Sequence, residues 1–285
     1  MLLPDRLRKL WGDVEAGRLA WQAAMEEQER LLGGYRAQWE HALLDSPATD
    51  LRNGLLHEMA AYAESDVGET ERHCADALAD LRREWERDVD PSRRETIERF
   101  YESRATIYEL MDWHSLRDDN GPLAYVLALE IARAHRVASC LDFGSGVGSG
   151  ALLFGGAGID TTLADISSTL LDFCRWRLAR RSVRAGFVDL KLATLPDERF
   201  DMVLAMDVFE HLADPVEAAE QIWRALKPGG LLFARIHAED DPDRPHHIVR
   251  DFAPTFARMR ELGLVETWRD GWLWGHQLFE KLASK

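Results

Sequence analysis

The segment 140–150 has the residue types of a loop that holds a nucleotide-type ligand. An apolar run predicts a buried strand, and the strand leads into an acidic residue followed by alternating glycines, Asp142-x-Gly144-x-Gly146-x-Gly148. Glycine accepts positive φ and has no Cβ, so the backbone of such a turn can approach a ligand closely. The N–H groups that begin the following helix would then point at that ligand. The segment therefore predicts half of a nucleotide-type binding site.

Asp165 ends the next predicted strand, about 20 residues beyond the first glycine, where dinucleotide-binding folds place a ribose-binding carboxylate. A carboxylate there can accept hydrogen bonds from both ribose hydroxyls. Asp165 can equally serve as a cap for the following helix, and the two roles are compatible. A dinucleotide fingerprint would require glycine at position 149, where the chain has Ser149. The spacing therefore argues against a nicotinamide oxidoreductase.

The loop 237–248 carries three histidines, His237, His246 and His247, together with four carboxylates. It follows a predicted strand, and in open α/β sheets the loops at the carboxyl ends of strands surround the ligand crevice. The loop is therefore a candidate acceptor site. A metal site with nitrogen and oxygen ligands is the alternative, but no His-x-His or His-x₃-His spacing is present. We therefore predict no metal.

The elements that must position these residues change character near residue 138. Upstream, apolar residues recur at helical spacing, with breaks at 33–34, 45–47 and 90–92, which predicts three or four helices in a bundle or cap. Downstream, strands and helices alternate, which predicts a parallel, doubly wound sheet. The predicted strands are 137–143, 159–165, 185–189, 200–206, 231–236, 264–269 and 273–281, and the predicted helices among them are 167–181, 215–226 and 252–262.

Two further segments, 200–212 (FDMVLAMDVFEHL) and 225–232 (ALKPGGLL), complete a recognisable pattern. Together with the glycine-rich turn they resemble class I S-adenosylmethionine-dependent methyltransferases, over about residues 138–236. The resemblance implies an α/β fold with a doubly wound, seven-stranded, mostly parallel sheet whose last strand is antiparallel. We expect this domain to span residues 116–285. The resemblance does not cover residues 1–115, which we expect to form an all-helical cap or oligomerisation element.

The resemblance also implies S-adenosylmethionine as cofactor and a set of residues that bind it. Asp165 would bind the ribose hydroxyls, Asp189 would accept from the adenine amino group, and Leu190 would pack on the adenine ring. The glycines would surround the methionine and ribose portions. The full implied set is Asp142, Gly144, Gly146, Gly148, Asp165, Ile166, Asp189, Leu190, Met206 and Asp207.

Methyl transfer from a sulfonium is an in-line displacement that requires orientation and exclusion of water more than a strong catalyst. We predict transfer to a hydroxyl or an amine of a small molecule. A hydroxyl acceptor also requires a base. Candidate bases are His237, His246, His247 and His114. His211 ranks behind them, because the resemblance gives the Glu210-His211 pair a packing role. The alternative is a non-catalytic S-adenosylmethionine-binding or scaffold protein whose helical N-terminus mediates protein interaction.

Composition narrows the choice of partners. The chain has 285 residues and a formal net charge of −15, which repels nucleic acid. The five arginines of segment 175–184 are interpreted as the solvated face of a helix rather than a binding patch. Three widely spaced cysteines give neither a disulfide framework nor a zinc pattern. With no signal peptide or membrane-length apolar run, we expect a cytoplasmic protein without a membrane partner. The N-terminal helices are the candidate interface of a homodimer.

Overall fold

The computed structural model describes residues 1–45, 48–116, 122–238 and 243–283, apart from the side chains of Trp113 and His114. The strands of the described chain are β1 Ser139–Phe143, β2 Asp160–Asp165, β3 Gly186–Asp189, β4 Phe200–Ala205, β5 Leu226–Ala234, β6 Leu264–Arg269 and β7 Gln277–Lys281. Its α-helices are α1 Leu3–Glu15, α2 Trp21–Leu43, α3 Leu51–Ala63, α4 Val67–Asp88, α5 Arg94–Phe100, α6 Ala105–Leu116, α7 Pro122–Ala134, α8 Ser149–Gly156, α9 Ser168–Arg180, α10 Pro215–Ala225 and α11 Ala253–Glu261.

All the strands form one sheet in the order β3-β2-β1-β4-β5-β7-β6. The pairs from β3 through β5 are parallel, and β7 runs antiparallel between β5 and β6. This arrangement confirms the predicted sheet with an antiparallel last strand. The chain leaves β1 towards β2 on one side and later returns to β4 on the other. The crevice at the carboxyl ends of β1 and β4 is therefore the topological switch point at which ligands bind in such sheets.

Alternate side chains of the central strands enter two separate cores, as the period of two in a strand requires. Met202 and Leu204 of β4 pack with residues of α7, α8 and α9 on one face of the sheet. Val203 and Ala205 pack with residues of α10 and α11 on the other face. Both faces are thus covered, which explains the nearly continuous apolar sequence of β4.

The observed strands differ from the predicted ones mainly in the residues at which β5 and β7 begin. β5 begins at Leu226 because this residue pairs with Phe200 of β4 across an irregularity in the register. β7 begins at Gln277, four residues later than predicted. The carboxylate of Asp270 accepts hydrogen bonds from the N–H groups of residues 272, 273 and 274 and folds that stretch into a turn.

The N-terminal helices pack against the sheet domain. Leu3 and Leu7 of α1, with Tyr35 and Trp39 of α2, belong to the same buried cluster as the sheet residues. The predicted helix break at 33–34 is wrong, because α2 continues through both glycines. Burial of the aromatic residues that follow outweighs a glycine cost of about 1 kcal/mol at each position. Within the described chain, none of the helices combines the length and the apolar character that crossing a bilayer requires.

Glu102, between α5 and α6, ties the N-terminal helices to the sheet domain. Its carboxylate accepts from the N–H groups of Ser168 and Thr169 in the first turn of α9, at 3.1 and 2.9 Å, and pairs with Lys191. Burial opposes ionisation of Glu102, but these hydrogen bonds outweigh it and lower its pKa to about 2. The carboxylate thus caps α9 from a distant part of the chain.

The variant Glu102→Gln keeps the shape of this cap and removes its charge, so the free energy of unfolding should fall by about 1 kcal/mol at pH 7. The pKa of Glu102 is lower in the folded chain than its ordinary 4.5. The stabilisation is therefore complete above that value and disappears as the pH falls towards 2. Urea unfolding at pH 7 and pH 3.5 measures the change in the free energy of unfolding. The control is Glu95→Gln, a substitution of an exposed glutamate. A difference from wild type that is as large at pH 3.5 as at pH 7 would contradict the ionic cap.

Candidate functional site

The turn after β1 has the backbone conformation that its glycines allow. Gly144, Gly146 and Gly148 have φ values of 70°, 51° and 73°. A Cβ at Gly144 would lie 2.6 Å from Cγ2 of Val208, which belongs to the loop after β4. Glycine is therefore needed at position 144 both for its backbone conformation and for the close packing of the two loops at the switch point.

Asp165 joins this turn to the end of β2. Its carboxylate accepts a hydrogen bond from the N–H of Gly146 at 3.0 Å and another from the N–H of Ser167 at 2.9 Å. Burial raises the pKa of Asp165 to about 6, while the backbone hydrogen bonds act in the opposite direction. Asp165 thus performs the capping role that the sequence allows. Each carboxylate oxygen has a second lone pair that can accept from a ligand hydroxyl.

A buried ion pair holds the other side of the turn. Arg177 of α9 is completely buried, and its Nη1 donates to the carbonyl of Val147 at 2.8 Å and to the hydroxyl of Ser149 at 3.0 Å. Its Nε donates to Glu58 of α3, which also accepts from Arg181. The interpretation of this arginine cluster as a solvated face is therefore wrong for Arg177 and Arg181. The sequence missed this because Glu58 lies more than a hundred residues away.

We expect Glu58→Gln to lower the free energy of unfolding by about 3 kcal/mol, because it leaves two guanidinium groups buried without their counter-ion. The matched control is Glu71→Gln, which removes one charge from an exposed pair with Arg52 and should cost less than about 1 kcal/mol. Urea unfolding of the three proteins at pH 7 gives the comparison. Equal losses in the two variants would show that the buried pair does not support the turn.

Asp142 lies behind the turn. Its side chain is 1% exposed, and neither carboxylate oxygen has a hydrogen-bond partner among the described residues. Burial, with a smaller contribution from the negative charge of Asp165, raises its pKa to about 8. The carboxyl group faces α8, where a Cβ at Gly150 would lie 2.7 Å from its Oδ2.

One cavity of about 200 Å³ opens at the switch point. Seven of the predicted cofactor-binding residues line it, namely Gly144, Gly146, Asp165, Ile166, Leu190, Met206 and Asp207. The other three, Asp142, Gly148 and Asp189, are absent from its lining as far as the chain is described. Gly148 faces Cys174 and Leu163 instead, and the carboxylate of Asp189 accepts from the N–H of Lys191.

Ser145 and Tyr101 offer further polar groups at this cavity. Both residues line it, and both hydroxyl oxygens are buried with no hydrogen-bond partner in the described part of the chain. Burial raises the pKa of Tyr101 well above its usual value, so the phenol stays protonated and can donate. Tyr101 follows α5, so the N-terminal helices supply part of the wall. The sequence pattern does not single out Tyr101, because aromatic residues at helical spacing usually belong to a core.

Asp207 turns the chain at the end of β4. It is a non-glycine residue at φ 52°, in the left-handed region, and its Oδ1 lies 2.8 Å from Nη1 of Arg235. This ion pair supports a conformation that costs about 1 kcal/mol or more. The turn directs Val208 against Gly144 and leads into a short 3₁₀ helix, Phe209–His211.

The candidate bases whose side chains are described lie at two different places. His246 lines the cavity, and His247 packs behind it. The ring of His237 contacts Arg235 at 2.7 Å and is not part of the described cavity lining. The side chain of His114 lies outside the described structure. His211, which the sequence analysis ranked last, lines the cavity beside His246, with the two rings stacked at 5.3 Å.

Burial, followed by the neighbouring His211 and His247, lowers the pKa of His246 well below its ordinary value. The order of the predicted strands could have indicated that His211 and His246 lie close together. The two residues lie in the loops after β4 and β5, and the carboxyl ends of neighbouring parallel strands meet at one edge of a sheet.

Comparisons with known proteins match part of the chain to methyltransferases. Residues 141–234 match the family model described as a methyltransferase domain. The ubiquinone biosynthesis O-methyltransferase of Coxiella burnetii is 28% identical over 95 residues, which are 33% of this chain and 41% of that protein. The phosphoethanolamine N-methyltransferase 2 of Caenorhabditis elegans is 29% identical over 103 residues, 35% of this chain and 24% of that protein. The matches thus span less than half the length of these curated relatives.

Among solved structures, the N-methyltransferase NodS from Bradyrhizobium japonicum WM9 matches with a TM-score of 0.47 and 18% identity. The match covers 58% of this chain and 98% of that one.

Proposed function

Residues 141–234 form a class I S-adenosylmethionine-dependent methyltransferase domain, and on this premise we propose that the chain transfers a methyl group to a hydroxyl or amine of a small molecule. The observation that carries the proposal is one cavity whose wall combines two unlike sets of residues. The glycine turn and Asp165 line it, and so do His211 and His246, with His211 beside Tyr101 of the N-terminal region. A donor and an acceptor can therefore lie in the same cavity.

The residues of the first set, the glycine turn and Asp165, suit the cofactor. When bound, S-adenosylmethionine supplies a methyl group on a positively charged sulfur, so the leaving group requires no protonation. We propose that the turn around Gly144 and Gly146, with the buried hydroxyl of Ser145, holds the methionine and ribose portions. Asp165 accepts from the ribose hydroxyls, and Ile166 and Leu190 pack on the adenine ring. Asp142 and Gly148 support the turn from behind rather than contacting the cofactor.

The remaining task of the protein is to orient the acceptor and to exclude water. Phe100 and Tyr101 contribute apolar surface from the N-terminal helices, and the phenol of Tyr101 can donate to the acceptor. His211 and His246 present ring nitrogens that can bind its hydroxyl or amine group. We therefore keep the division into a helical region, 1–115, and a methyltransferase domain, 116–285, and propose that the helical region forms the acceptor side of the site. The net charge of −15 supports a small molecule over a nucleic acid as acceptor.

The variant Asp165→Ala should raise the dissociation constant for S-adenosylhomocysteine about 100-fold, because charged hydrogen bonds to two hydroxyls are lost. Gly146→Val should weaken binding as well, since position 146 has positive φ and a Cβ there would lie 3.2 Å from Leu110. Isothermal titration calorimetry measures both, with the exposed Asp197→Ala as control. Unchanged affinity in Asp165→Ala would remove the ribose assignment.

Catalysis is tested separately from binding. Incubation with S-adenosylmethionine carrying a labelled methyl group and a panel of small phenols, alcohols and amines should yield labelled product and S-adenosylhomocysteine. A chain that binds the cofactor with the affinity pattern above and transfers no label to any member of the panel would instead support the non-catalytic alternative.

A further inference from the structure

His211, His246 and His247 come together at the cavity wall, and we infer that they form a binding site for one divalent transition-metal ion. Each of the three offers a ring nitrogen, and these atoms all lie within 4.8 Å of one another. The ring centroids are 4.7 Å apart for His211 and His247, 5.2 Å for His246 and His247, and 5.3 Å for His211 and His246. Ring rotations that move each nitrogen by about 1 Å bring them to the separation of ligands at metal–nitrogen distances of about 2.0–2.1 Å.

Backbone hydrogen bonds bring the two parts of this histidine cluster together. The carbonyl oxygen of Glu210 accepts from the N–H groups of Ile248 and Val249 at 2.8 and 3.1 Å. The N–H of His247 donates to the carbonyl of Arg244 at 3.0 Å and closes a turn within the second loop. Residues 244–249 are thus fixed against the 3₁₀ helix after β4. The histidine cluster is a consequence of the fold rather than of flexible side chains that happen to meet.

The orientation of His211 is one that metal-binding histidines commonly have. Its Nδ1 lies 3.2 Å from the carbonyl oxygen of His246, which can only accept a hydrogen bond. The proton of the neutral ring is therefore on Nδ1, and Nε2 carries a lone pair. A backbone carbonyl that fixes the tautomer in this way is a typical outer partner of a histidine ligand, because it holds the ring and increases the basicity of the other nitrogen.

Burial gives a second and independent indication of a ligand. His246 and His247 are only 6% and 2% exposed, and Trp85 and Phe100 pack around His246. Nδ1 of His246 is buried and makes no hydrogen bond with any described residue. A buried polar atom without a partner destabilises the folded chain, and a metal ion bound to its lone pair would remove that cost.

The ligand chemistry selects the type of ion. Imidazole nitrogens suit zinc, cobalt, nickel, copper or iron, whereas magnesium and calcium prefer oxygen. His211 and His246 line the cavity, so a further coordination position of the ion faces the space for the acceptor. Three protein ligands with one open position is the arrangement of a catalytic rather than a structural zinc-type site.

The site also selects the acceptor class, and this step rests on the proposed methyl transfer. A hydroxyl group bound at the open position loses its proton to solvent more readily, because the ion stabilises the oxygen anion. The oxygen then forms a bond to the methyl carbon while the bond from that carbon to sulfur breaks. The products are a methyl ether, neutral S-adenosylhomocysteine and one released proton. We therefore favour a hydroxyl over an amine as acceptor.

Cobalt(II) alone is the probe for the site, because tetrahedral cobalt gives visible absorption bands that report its ligands. The 285-residue chain without an affinity tag is freed of metal with a chelator and titrated with cobalt(II), and the bound metal is counted after dialysis. We expect one ion per chain, and a dissociation constant raised by about 100-fold or more in His211→Ala and in His247→Ala. The control is His73→Ala, an exposed histidine of α4. Binding of S-adenosylhomocysteine verifies that each variant is folded.

The possible outcomes distinguish failure of the metal-site proposal from failure of the proposed methyl transfer. Wild-type protein that binds S-adenosylhomocysteine but takes up no cobalt overturns the metal site and leaves the methyl transfer intact. Cobalt binding that is unchanged in both cluster variants also overturns the assignment. Stoichiometric cobalt binding that is lost in both variants upholds the site, even if the chain transfers no methyl group and the proposed function fails.

Discussion

The site depends on the carboxylate of Asp165, which holds together two loops from neighbouring strands. Its oxygens accept from the N–H of Gly146 in the turn after β1 and from the N–H of Ser167 at the start of α9. The turn can adopt this position only because its glycines have positive φ. Burial raises the pKa of Asp165 to about 6, so the group is still largely ionised at pH 7 and can accept further hydrogen bonds. The same interaction thus shapes the turn and prepares it for a hydroxyl-bearing ligand.

The N-terminal helices support the glycine turn of the sheet domain and form part of the cavity wall. Glu58 of α3 neutralises Arg177, which binds the backbone of the glycine turn, and Glu102 caps α9. The residues between α5 and α6 then lie over the cavity, where Tyr101 reaches its wall. The helices outside the family match therefore stabilise the glycine turn and the start of α9, and they form part of the cavity wall.

The sequence predicted most of what depends on local pattern. The strands of the central sheet, the glycine turn and the position of Asp165 follow from hydrophobic periodicity and from residue types adjacent in the chain. Features that depend on distant partners were missed. Gly33 and Gly34 do not break α2, because aromatic residues beyond them are buried against the sheet domain. Arg177 is buried because of Glu58, which no local pattern reveals.

The histidines illustrate the same limit. The loop 237–248 lacks the His-x-His and His-x₃-His spacings, so the sequence predicted no metal, and the family resemblance gave His211 a packing role. His211 and His246 meet because β4 and β5 are neighbours in the sheet and because the carbonyl of Glu210 binds the second loop. Sheet order, rather than sequence spacing, was the relevant information. It becomes available from sequence only when the fold has been assigned.

A crystal structure of the chain with S-adenosylhomocysteine tests the central claim most directly. The account predicts the ribose hydroxyls within hydrogen-bonding distance of the Asp165 carboxylate, and the methionine portion against the turn at Gly144 and Gly146. The sulfur would then face the wall formed by His211 and His246. A ligand found elsewhere, or a nucleoside bound in this cavity without contact to Asp165, would contradict the account.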